Sequence, residues 1–338
     1  MNKNKYVLSV LPSPRPKNYP LTVLSDKKEL EKKLNELGEK IELNEALKGG
    51  FVSQVYSANL NGKKVVVKHV ENLTPFDPTE FFIDKNGLVE DVRILKLLAK
   101  SRKIRTPKII RFFPKINSAI QEDLREEGFF LLNDQIIDGK LNVNSAGFVG
   151  ESLANLAAES RIWKEFKTNE SSEQSIYERG LELRLAYPNS QKEYLFLEKE
   201  FLGNNKYFCW PDGHPKNILV KKSGECAFID FGRSVWADQR YMLPNFLAHI
   251  VVYCLAGYID KKLAEQYILK SVSSYKSIEP INENIFCQYL AMEVLHRANG
   301  KWVAGIDTRG KKLALLKFGM TVFDEKVFSI NELLRLLL

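Results

Sequence analysis

The sequence is poor in the residues that build disulfide scaffolds and zinc sites. Its 338 residues include only four cysteines and four histidines. The cysteines form no C-x-x-C pair, and a chain of this length does not depend on a disulfide framework, so we expect reduced cysteines in a buried core. The histidines show no ligand spacing, and His214 is more simply interpreted as a hydrogen-bonded loop residue than as a zinc ligand.

Long apolar runs are also missing. The longest, Phe246 to Ile259, is too short to cross a bilayer and contains His249. The first twenty residues contain three lysines and four prolines but no sustained apolar stretch, which is not typical of a signal peptide. We therefore expect a cytoplasmic protein without a membrane segment.

The net charge of +8 is unevenly distributed, since eight basic residues and no acidic residue lie between Lys96 and Lys115. Such a stretch is compatible with nucleic-acid binding. It is equally typical of a solvated surface that keeps a protein soluble. No aromatic-interleaved RNA motif or zinc finger accompanies it, so the second interpretation is favoured and nucleic acid is not an expected partner.

What the sequence does contain is a spaced set of oxygen-bearing side chains. Asp212 and Asn217 form a D-x-x-x-x-N pattern, and a D-F-G sequence begins at Asp230, thirteen positions after the Asn. Phosphoryl transfer needs a carboxylate that orients and deprotonates the attacking hydroxyl, and hard oxygen ligands that hold Mg²⁺ against the phosphates. The first pattern alone arises by chance, but the combination at this distance, with hydrophobic residues before each part, is much rarer.

A hairpin that could cover phosphates lies upstream. The strand Val55 to Leu60 is followed by Asn61-Gly62, the strongest two-residue hairpin signal, because both central positions require a positive φ. The return strand, Lys63 to Val70, carries Lys68 at the end of a V-V-V-K run, where the V-A-I-K motif places the lysine that neutralises phosphates.

Other residues complete this nucleotide half. Gly49, Gly50 and Ser53 precede the hairpin, and the glycines would let backbone N–H groups approach phosphate oxygens. On the helix that follows, Glu90 is the first choice for an ion pair with Lys68, and Asp91, which faces another direction, is the second. Each feature has an ordinary structural explanation when taken alone, so the interpretation depends on their order along the chain.

These segments together resemble the aminoglycoside phosphotransferase and choline kinase family, small-molecule kinases with a protein-kinase-like fold. Trp210 to Leu219 matches the family pattern H-G-D-x-H-P-x-N-I-L, and the likeness extends over about Leu47 to Leu255. The resemblance implies that Asp212 is the catalytic base, that Asn217 and Asp230 bind Mg²⁺, and that ATP is the donor. It also implies that Phe129 to Gly139 forms the strand and hinge that seat adenine, with backbone groups near Gln135 and Ile136 bonding the base.

The sequence departs from the family pattern in two places near the site. Trp210-Pro211 stands where the family usually has His-Gly, and Asn245 to Ala248 stands where Asp-Leu-Ala is expected. Neither change removes a phosphate-binding or metal-binding group.

The predicted fold class is α+β, a bilobal protein-kinase-like fold with a small antiparallel-sheet lobe and a larger, mainly helical lobe. We assign residues 1–20 to an N-terminal extension, 21–135 to the small lobe and 136–338 to the large lobe. A fifth strand near Gly50 completes the predicted small-lobe sheet. The other predicted elements are a capped helix from Asp26, a helix over Leu88–Lys100, strands at Lys108–Phe113 and Phe129–Ile137, helices at Phe148–Phe166, Ser175–Leu202 and Leu243–Trp302, strands at Tyr207–Cys209, Ile218–Val220 and Ala227–Ile229, and a capping box at Ser329–Glu332.

The acceptor is expected to be a small molecule that is not polycationic. Residues 233–305 hold eight basic and six acidic side chains, so this part of the large lobe is not markedly anionic. We therefore hypothesise a neutral or anionic hydroxylated acceptor, such as a sugar, a sugar derivative or a nucleoside-like metabolite. Candidate contacts are Arg233, Arg240, Arg297 and Lys301.

Two other functions remain open at the level of sequence. A kinase acting on protein side chains would normally carry H-R-D and A-P-E signatures, which are missing. A nucleotide-sensing or scaffold protein without turnover is suggested by Trp210-Pro211. The oligomeric state is also left open.

Overall fold

The computed structural model describes residues 26–47, 53–71, 86–163, 191–203, 207–299 and 309–337. The chain divides into two compact units. The N-terminal unit comprises Met1–Gly128 with Asp230–Gly232, and the C-terminal unit comprises Phe129–Ile229 and Arg233–Leu338. The D-F-G sequence thus belongs with the N-terminal unit, and the division comes earlier than the predicted boundary at residue 135. The predicted extension at residues 1–20 lies outside the described residues.

The N-terminal unit is built on a five-stranded antiparallel sheet with the strand order β1-β2-β3-β5-β4. Helix α1 packs its buried leucines, Leu30 and Leu34, against this sheet. The predicted five-stranded antiparallel sheet is therefore confirmed. The elements are α1 (Lys27–Glu36), β1 (Ile41–Ala46), β2 (Gln54–Leu60), β3 (Lys63–His69), α2 (Asn86–Leu98), β4 (Ile109–Phe113) and β5 (Ser118–Glu122).

The β2–β3 hairpin forms as predicted. Asn61 has a φ of 51° and Gly62 a φ of 80°, the positive values that a two-residue turn of this kind requires. Strand β3 is central in the sheet, and Val65 and Val67 are buried on one face. The hairpin therefore fixes Lys68 near the end of a strand that is paired on both sides.

The predicted strand at Phe129–Ile137 is wrong over most of its length. Only Phe130–Leu131 is extended, as β6, and Leu132–Ile137 forms helix α3. Leu132 and Ile136 are both fully buried and lie one helical turn apart. Their spacing indicates a helix, although the run of apolar residues suggested a strand.

Two strands of the five-stranded sheet differ from the predicted ones. β5 (Ser118–Glu122) is not among the predicted strands, and β1 (Ile41–Ala46) supplies the remaining strand of the sheet. The strand predicted near Gly50 lies outside the described residues. The β5 sequence has a single β-branched residue, Ile120, and its strand character comes from pairing with both β3 and β4.

The C-terminal unit is mainly helical among its described residues and carries short strands around the predicted catalytic loop. These strands form a three-stranded sheet, β6-β8-β9, and a two-stranded pair, β10-β7. The strands at Phe208–Cys209, Ile218–Val220 and Cys226–Phe228 confirm the predicted ones to within a residue. The elements from β6 are β6 (Phe130–Leu131), α3 (Leu132–Ile137), α4 (Val143–Ser160), α5 (Gln191–Gly203), β7 (Phe208–Cys209), β8 (Ile218–Val220), β9 (Cys226–Phe228), β10 (Val235–Trp236), α6 (Met242–Leu255), α7 (Lys261–Lys276), α8 (Glu283–Asn299), α9 (Arg309–Asp324) and α10 (Ile330–Leu337).

Two further predictions about this unit are confirmed. The capping box forms at the start of α10, where Glu332 N donates to Ser329 Oγ at 3.3 Å and Ser329 N donates to Glu332 Oε2 at 3.1 Å. All four cysteines are buried and free. Within the described ranges, no helix combines the length and the hydropathy needed to span a bilayer.

Candidate phosphoryl-transfer site

Lys68 is the centre of a buried charged cluster in the N-terminal unit. Its Nζ donates to Asp91 Oδ2 at 2.7 Å and to Asp230 Oδ1 at 2.8 Å. Only 7% of Lys68 and 1% of Asp91 is exposed, whereas 40% of the Asp230 side chain is exposed. The cluster therefore joins a buried ion pair to one carboxylate that solvent and ligands can reach.

The charge state of Lys68 follows from these neighbours. Burial lowers the pKa of its ammonium group, but the negative charges of Asp230 and Asp91 outweigh burial and raise the pKa above its ordinary value. Lys68 is therefore a permanent cation at neutral pH, as a lysine that neutralises phosphate must be.

The acidic partner of Lys68 is Asp91 and not Glu90, which corrects the first choice made from the sequence. Consecutive residues on a helix point roughly 100° apart. Asp91 shares the buried face of α2 with Leu88 and Leu95, whereas Glu90 turns toward Arg93, with 3.8 Å between Oε1 and Nη1. The apolar spacing of α2 could have identified Asp91, because it lies three residues from one buried leucine and four from the other.

Asp91 also holds the backbone of the D-F-G sequence. Its Oδ1 accepts a hydrogen bond from Phe231 N at 2.7 Å, and Phe231 is fully buried. Asp230 has a positive φ of 62°, and a Cβ on Gly232 would lie only 2.8 Å from Gly87 O. The D-F-G backbone is thus held by one carboxylate that also binds Lys68, and its last position has room only for glycine.

Asp212 and Asn217 lie on the predicted catalytic loop of the C-terminal unit, between β7 and β8. Asn217 Nδ2 donates to the main-chain oxygen of Asp212 at 3.0 Å, and His214 N donates to the same oxygen at 2.8 Å. Both site side chains are partly exposed. The loop is closed on itself by these bonds, and the remaining oxygen of the Asn217 amide has the chemistry of a hard metal ligand.

The strand pairing ties Asn217 to the segment that leads into the D-F-G sequence. β8 and β9 are antiparallel, with Ile218 opposite Phe228. Ile229, the residue before Asp230 in sequence, donates its N–H to the main-chain oxygen of Asn217 at 3.0 Å. Hydrogen bonding therefore fixes the register between Asn217 and Ile229 within the C-terminal unit.

Packing holds the beginning of the loop. Trp210 is fully buried and its ring centroid lies 5.0 Å from that of Phe228. A Cβ on Gly213 would lie 3.1 Å from Trp210 Cε3, so the loop turns closely over the indole. Pro211 O accepts a hydrogen bond from Asn245 Nδ2 at 2.9 Å. Sequence reasoning noted Trp210-Pro211 and Asn245 as separate departures from the family pattern and missed that they meet.

His214 packs against His249 with ring centroids 5.5 Å apart. Among the residues that the structure describes, no group of three or more His, Cys, Asp or Glu could hold a metal ion. Mg²⁺ is usually held by one or two protein carboxylates together with substrate phosphates and water. The predicted ligands Asn217 and Asp230 each carry a hard oxygen donor, so the chemistry of each side chain would suit Mg²⁺ better than zinc.

The other predicted nucleotide contacts have varied outcomes. Gly49 and Gly50 lie outside the described residues, and Ser53 is buried at the start of β2. Gln135 and Ile136 lie in α3, and their main-chain oxygens accept hydrogen bonds from Lys140 N and Gly139 N. Each of these oxygens keeps a second lone pair that could accept from a base, and the predicted adenine contact stays a prediction.

Two of the arginines suggested as acceptor contacts are used in ion pairs. Arg240 binds Asp238 and Glu200, and Arg297 is 8% exposed and binds Glu293. Lys301 lies outside the described residues. Arg233, directly after the D-F-G sequence, is partly exposed.

Searches against protein-family models and curated proteins find no match to this chain. Solved structures do match. An ethanolamine kinase of Plasmodium vivax is 16% identical, with a TM-score of 0.51, and the alignment covers 92% of this chain and 94% of that chain. The amicoumacin kinase hAmiN, in complex with AMP-PNP, Ca²⁺ and Ami, is 11% identical, with a TM-score of 0.50 and coverage of 90% and 96%.

LicA, described as a choline kinase of Streptococcus pneumoniae, also matches. Its complex with AMP is 16% identical to this chain, with a TM-score of 0.50 and coverage of 88% and 98%. At these identities the likeness establishes the fold. The chain has the protein-kinase-like α+β fold of choline and ethanolamine kinases, as the sequence resemblance implied.

Proposed function

We propose that this protein is a Mg²⁺- and ATP-dependent phosphotransferase that moves the γ-phosphoryl group to a hydroxyl of a small molecule. The observation that carries the proposal is the buried Lys68 between Asp91 and Asp230. A kinase requires a lysine paired with a helix carboxylate and an aspartate that binds the metal. Asp212 is assigned as the base that accepts the proton of the acceptor hydroxyl, and Asn217 and Asp230 as the metal ligands.

The proposed donor and metal have independent support. AMP-PNP and Ca²⁺ are present in the hAmiN complex, and AMP in the LicA complex. In this chain, the exposed part of Asp230 and the oxygen chemistry of Asn217 suit a hard divalent cation. Bound Mg²⁺ would neutralise the charge on the phosphate oxygens, and Lys68 would hold the phosphates in place.

The acceptor is proposed to be a neutral or anionic hydroxylated metabolite, such as a sugar or a sugar derivative. Three of the six acidic residues in the segment 233–305, namely Asp238, Glu279 and Glu293, are buried and ion-paired with arginine. A fourth, Asp260, accepts from Leu263 N as the cap of α7. Polycations are bound by clusters of available carboxylates, and these four are already used within the protein.

The assignment of Asp212 can be tested with Asp212→Asn. Removing the base should lower kcat for nucleotide consumption by about 10²–10⁴-fold, since general-base catalysis contributes that much. MgATP affinity should change little, because the side chain acts on the acceptor. The measurement is ATP consumption against a panel of sugars, sugar derivatives, nucleosides and aminoglycosides, together with MgATP titration by calorimetry.

Asp260→Asn is the matched control. Because Asn caps a helix as well as Asp does, the activity of this variant should equal that of the parent protein. Full turnover by Asp212→Asn would remove the base from the proposal. MgATP binding by the parent protein without consumption on any acceptor would favour the nucleotide-sensing alternative. A kcat/KM that is highest for an aminoglycoside would overturn the acceptor class alone.

A further inference from the structure

Asn245 faces the catalytic loop from helix α6. It is fully buried, and its Nδ2 donates to Pro211 O at 2.9 Å, directly before Asp212. Proline has no N–H, so its carbonyl oxygen is the only main-chain group that residue 211 can offer to a partner. A buried carbonyl requires a donor, and of Asn and Asp only Asn supplies one when the carboxylate is ionised.

The other side of Asn245 lies against a buried polar cluster. Tyr241 Oη lies 3.4 Å from Asn245 Oδ1 and donates to Glu293 Oε2 at 2.7 Å. Arg297 Nε donates to the other oxygen of Glu293 at 2.7 Å. All four side chains are buried, so a continuous set of polar contacts runs from helix α8 through α6 to the loop. The carbonyl oxygen of Pro211 can only accept, so it is this oxygen that orients the amide nitrogen of Asn245 toward residue 211.

We propose that Asn245 is a positioning residue for Asp212 and that Asn245 and Pro211 form a matched donor–acceptor pair. The role given to Asp212 rests on the proposed function. The pairing itself rests on the geometry of residues 211 and 245. The two departures from the family pattern are then linked. The proline at 211 lacks an N–H donor, and the side-chain amide at 245 supplies a donor in its place.

The pair can be tested by reversing it. Asn245→Asp places a carboxylate against a carbonyl oxygen and should lower kcat for ATP consumption at least about tenfold, because a buried polar group loses its partner. The KM for MgATP should stay within about twofold, because the Lys68 cluster is unaltered. Adding Pro211→Gly restores an N–H and gives the backbone the freedom to turn it toward Asp, so the double variant should recover most of the lost kcat.

Pro211→Gly alone completes the double-mutant cycle, and the expected result is a double variant whose loss of kcat is clearly smaller than the sum of the two single effects. Asn155→Asp is the matched control. It places a carboxylate at another buried position of the same unit, on α4, and should lower the melting temperature without lowering kcat in the folded protein.

Hydrogen exchange of the peptide spanning 207–220 supplies a readout that needs no turnover. Exchange should be faster in Asn245→Asp and should return toward the parent rate in the double variant. If Asn245→Asp does not fold, recovery of folding in the double variant takes the place of both readouts. Unchanged kcat and exchange in Asn245→Asp, or single effects that simply add, would overturn the pairing. An exchange response as expected, in a parent protein that consumes no ATP, would instead sink the proposed function alone.

Discussion

The two groups of candidate residues, one in each unit, are held by different forces. In the N-terminal unit, Lys68, Asp91 and Asp230 are fixed by charge, with a cation between two carboxylates. In the C-terminal unit, the loop that carries Asp212 is fixed by main-chain hydrogen bonds, by two side-chain amides and by an indole. Both arrangements are largely buried, but only the first depends on full charges.

The difference matters because the two kinds of support fail differently. A buried charge that loses its partner is left uncompensated in a medium of low dielectric, and the cost is large. The loop that carries Asp212 is supported by uncharged groups. If it loses a hydrogen-bond donor or gains a methyl group, the free energy of unfolding falls less, but the positions of its side chains change. We therefore expect changes in the charged cluster to reduce stability and nucleotide handling together, and changes in the loop to act mainly on kcat.

The largest effect is expected from Lys68→Met. It leaves the buried Asp91 without its cation and should reduce the free energy of unfolding by about 3–5 kcal/mol, the range measured for broken buried ion pairs. MgATP affinity should fall as well. Urea unfolding and calorimetric titration with MgATP are the measurements.

Lys64→Met is the control on the same strand. Lys64 forms an exposed ion pair with Glu126, at 2.8 Å, and exposed pairs contribute little, so neither stability nor MgATP affinity should change measurably. Equal losses in the two lysine variants would show that the charged cluster has no special weight, and the comparison would break.

A smaller effect is expected from Asp91→Asn, which keeps an oxygen for Phe231 N but removes the charge facing Lys68. Because Lys68 retains Asp230, the loss of stability should be about 1–3 kcal/mol, with weaker binding of MgATP. Glu90→Gln, one position away, should leave both quantities at the parent values. The opposite ranking of the two variants would restore the sequence-based choice of Glu90.

The Glu90–Asp91 pair also indicates how far sequence reasoning extends. The order of the motifs along the chain predicts the hairpin, Lys68, the loop and the D-F-G sequence, because each depends on local chemistry such as the turn at Asn61-Gly62. Which of two adjacent acids faces Lys68 depends on the rotation of helix α2 against the sheet, and that rotation is set by packing. Likewise, β5 is a strand because two neighbours pair with it, not because of its own residues.

The loop departures show the same limit in another form. Trp210-Pro211 and Asn245 are visible in the sequence as isolated differences from a family pattern. Their relation is tertiary, since Asn245 reaches the loop from a helix more than thirty residues later in the chain. The order of residues along the chain does not show that Pro211, which lacks an N–H, lies next to Asn245, which carries an amide where an Asp is expected.

The smallest effect is expected from Gly213→Ala, in the loop that carries Asp212. The added methyl would lie 3.1 Å and 3.3 Å from two carbons of the fully buried Trp210, which has little room to move. The cost in stability should be about 1 kcal/mol, and kcat should fall while the KM for MgATP stays unchanged. Gly310→Ala in helix α9 is the matched control, because nothing lies within 4 Å of the added methyl. Since alanine favours helix over glycine, that variant should be stabilised by about 0.5 kcal/mol. The measurements are thermal unfolding and ATP-consumption kinetics on both variants. If Gly213→Ala lowers MgATP affinity instead of kcat, a change in the loop has the effect expected of the charged cluster, and the contrast between the two is wrong.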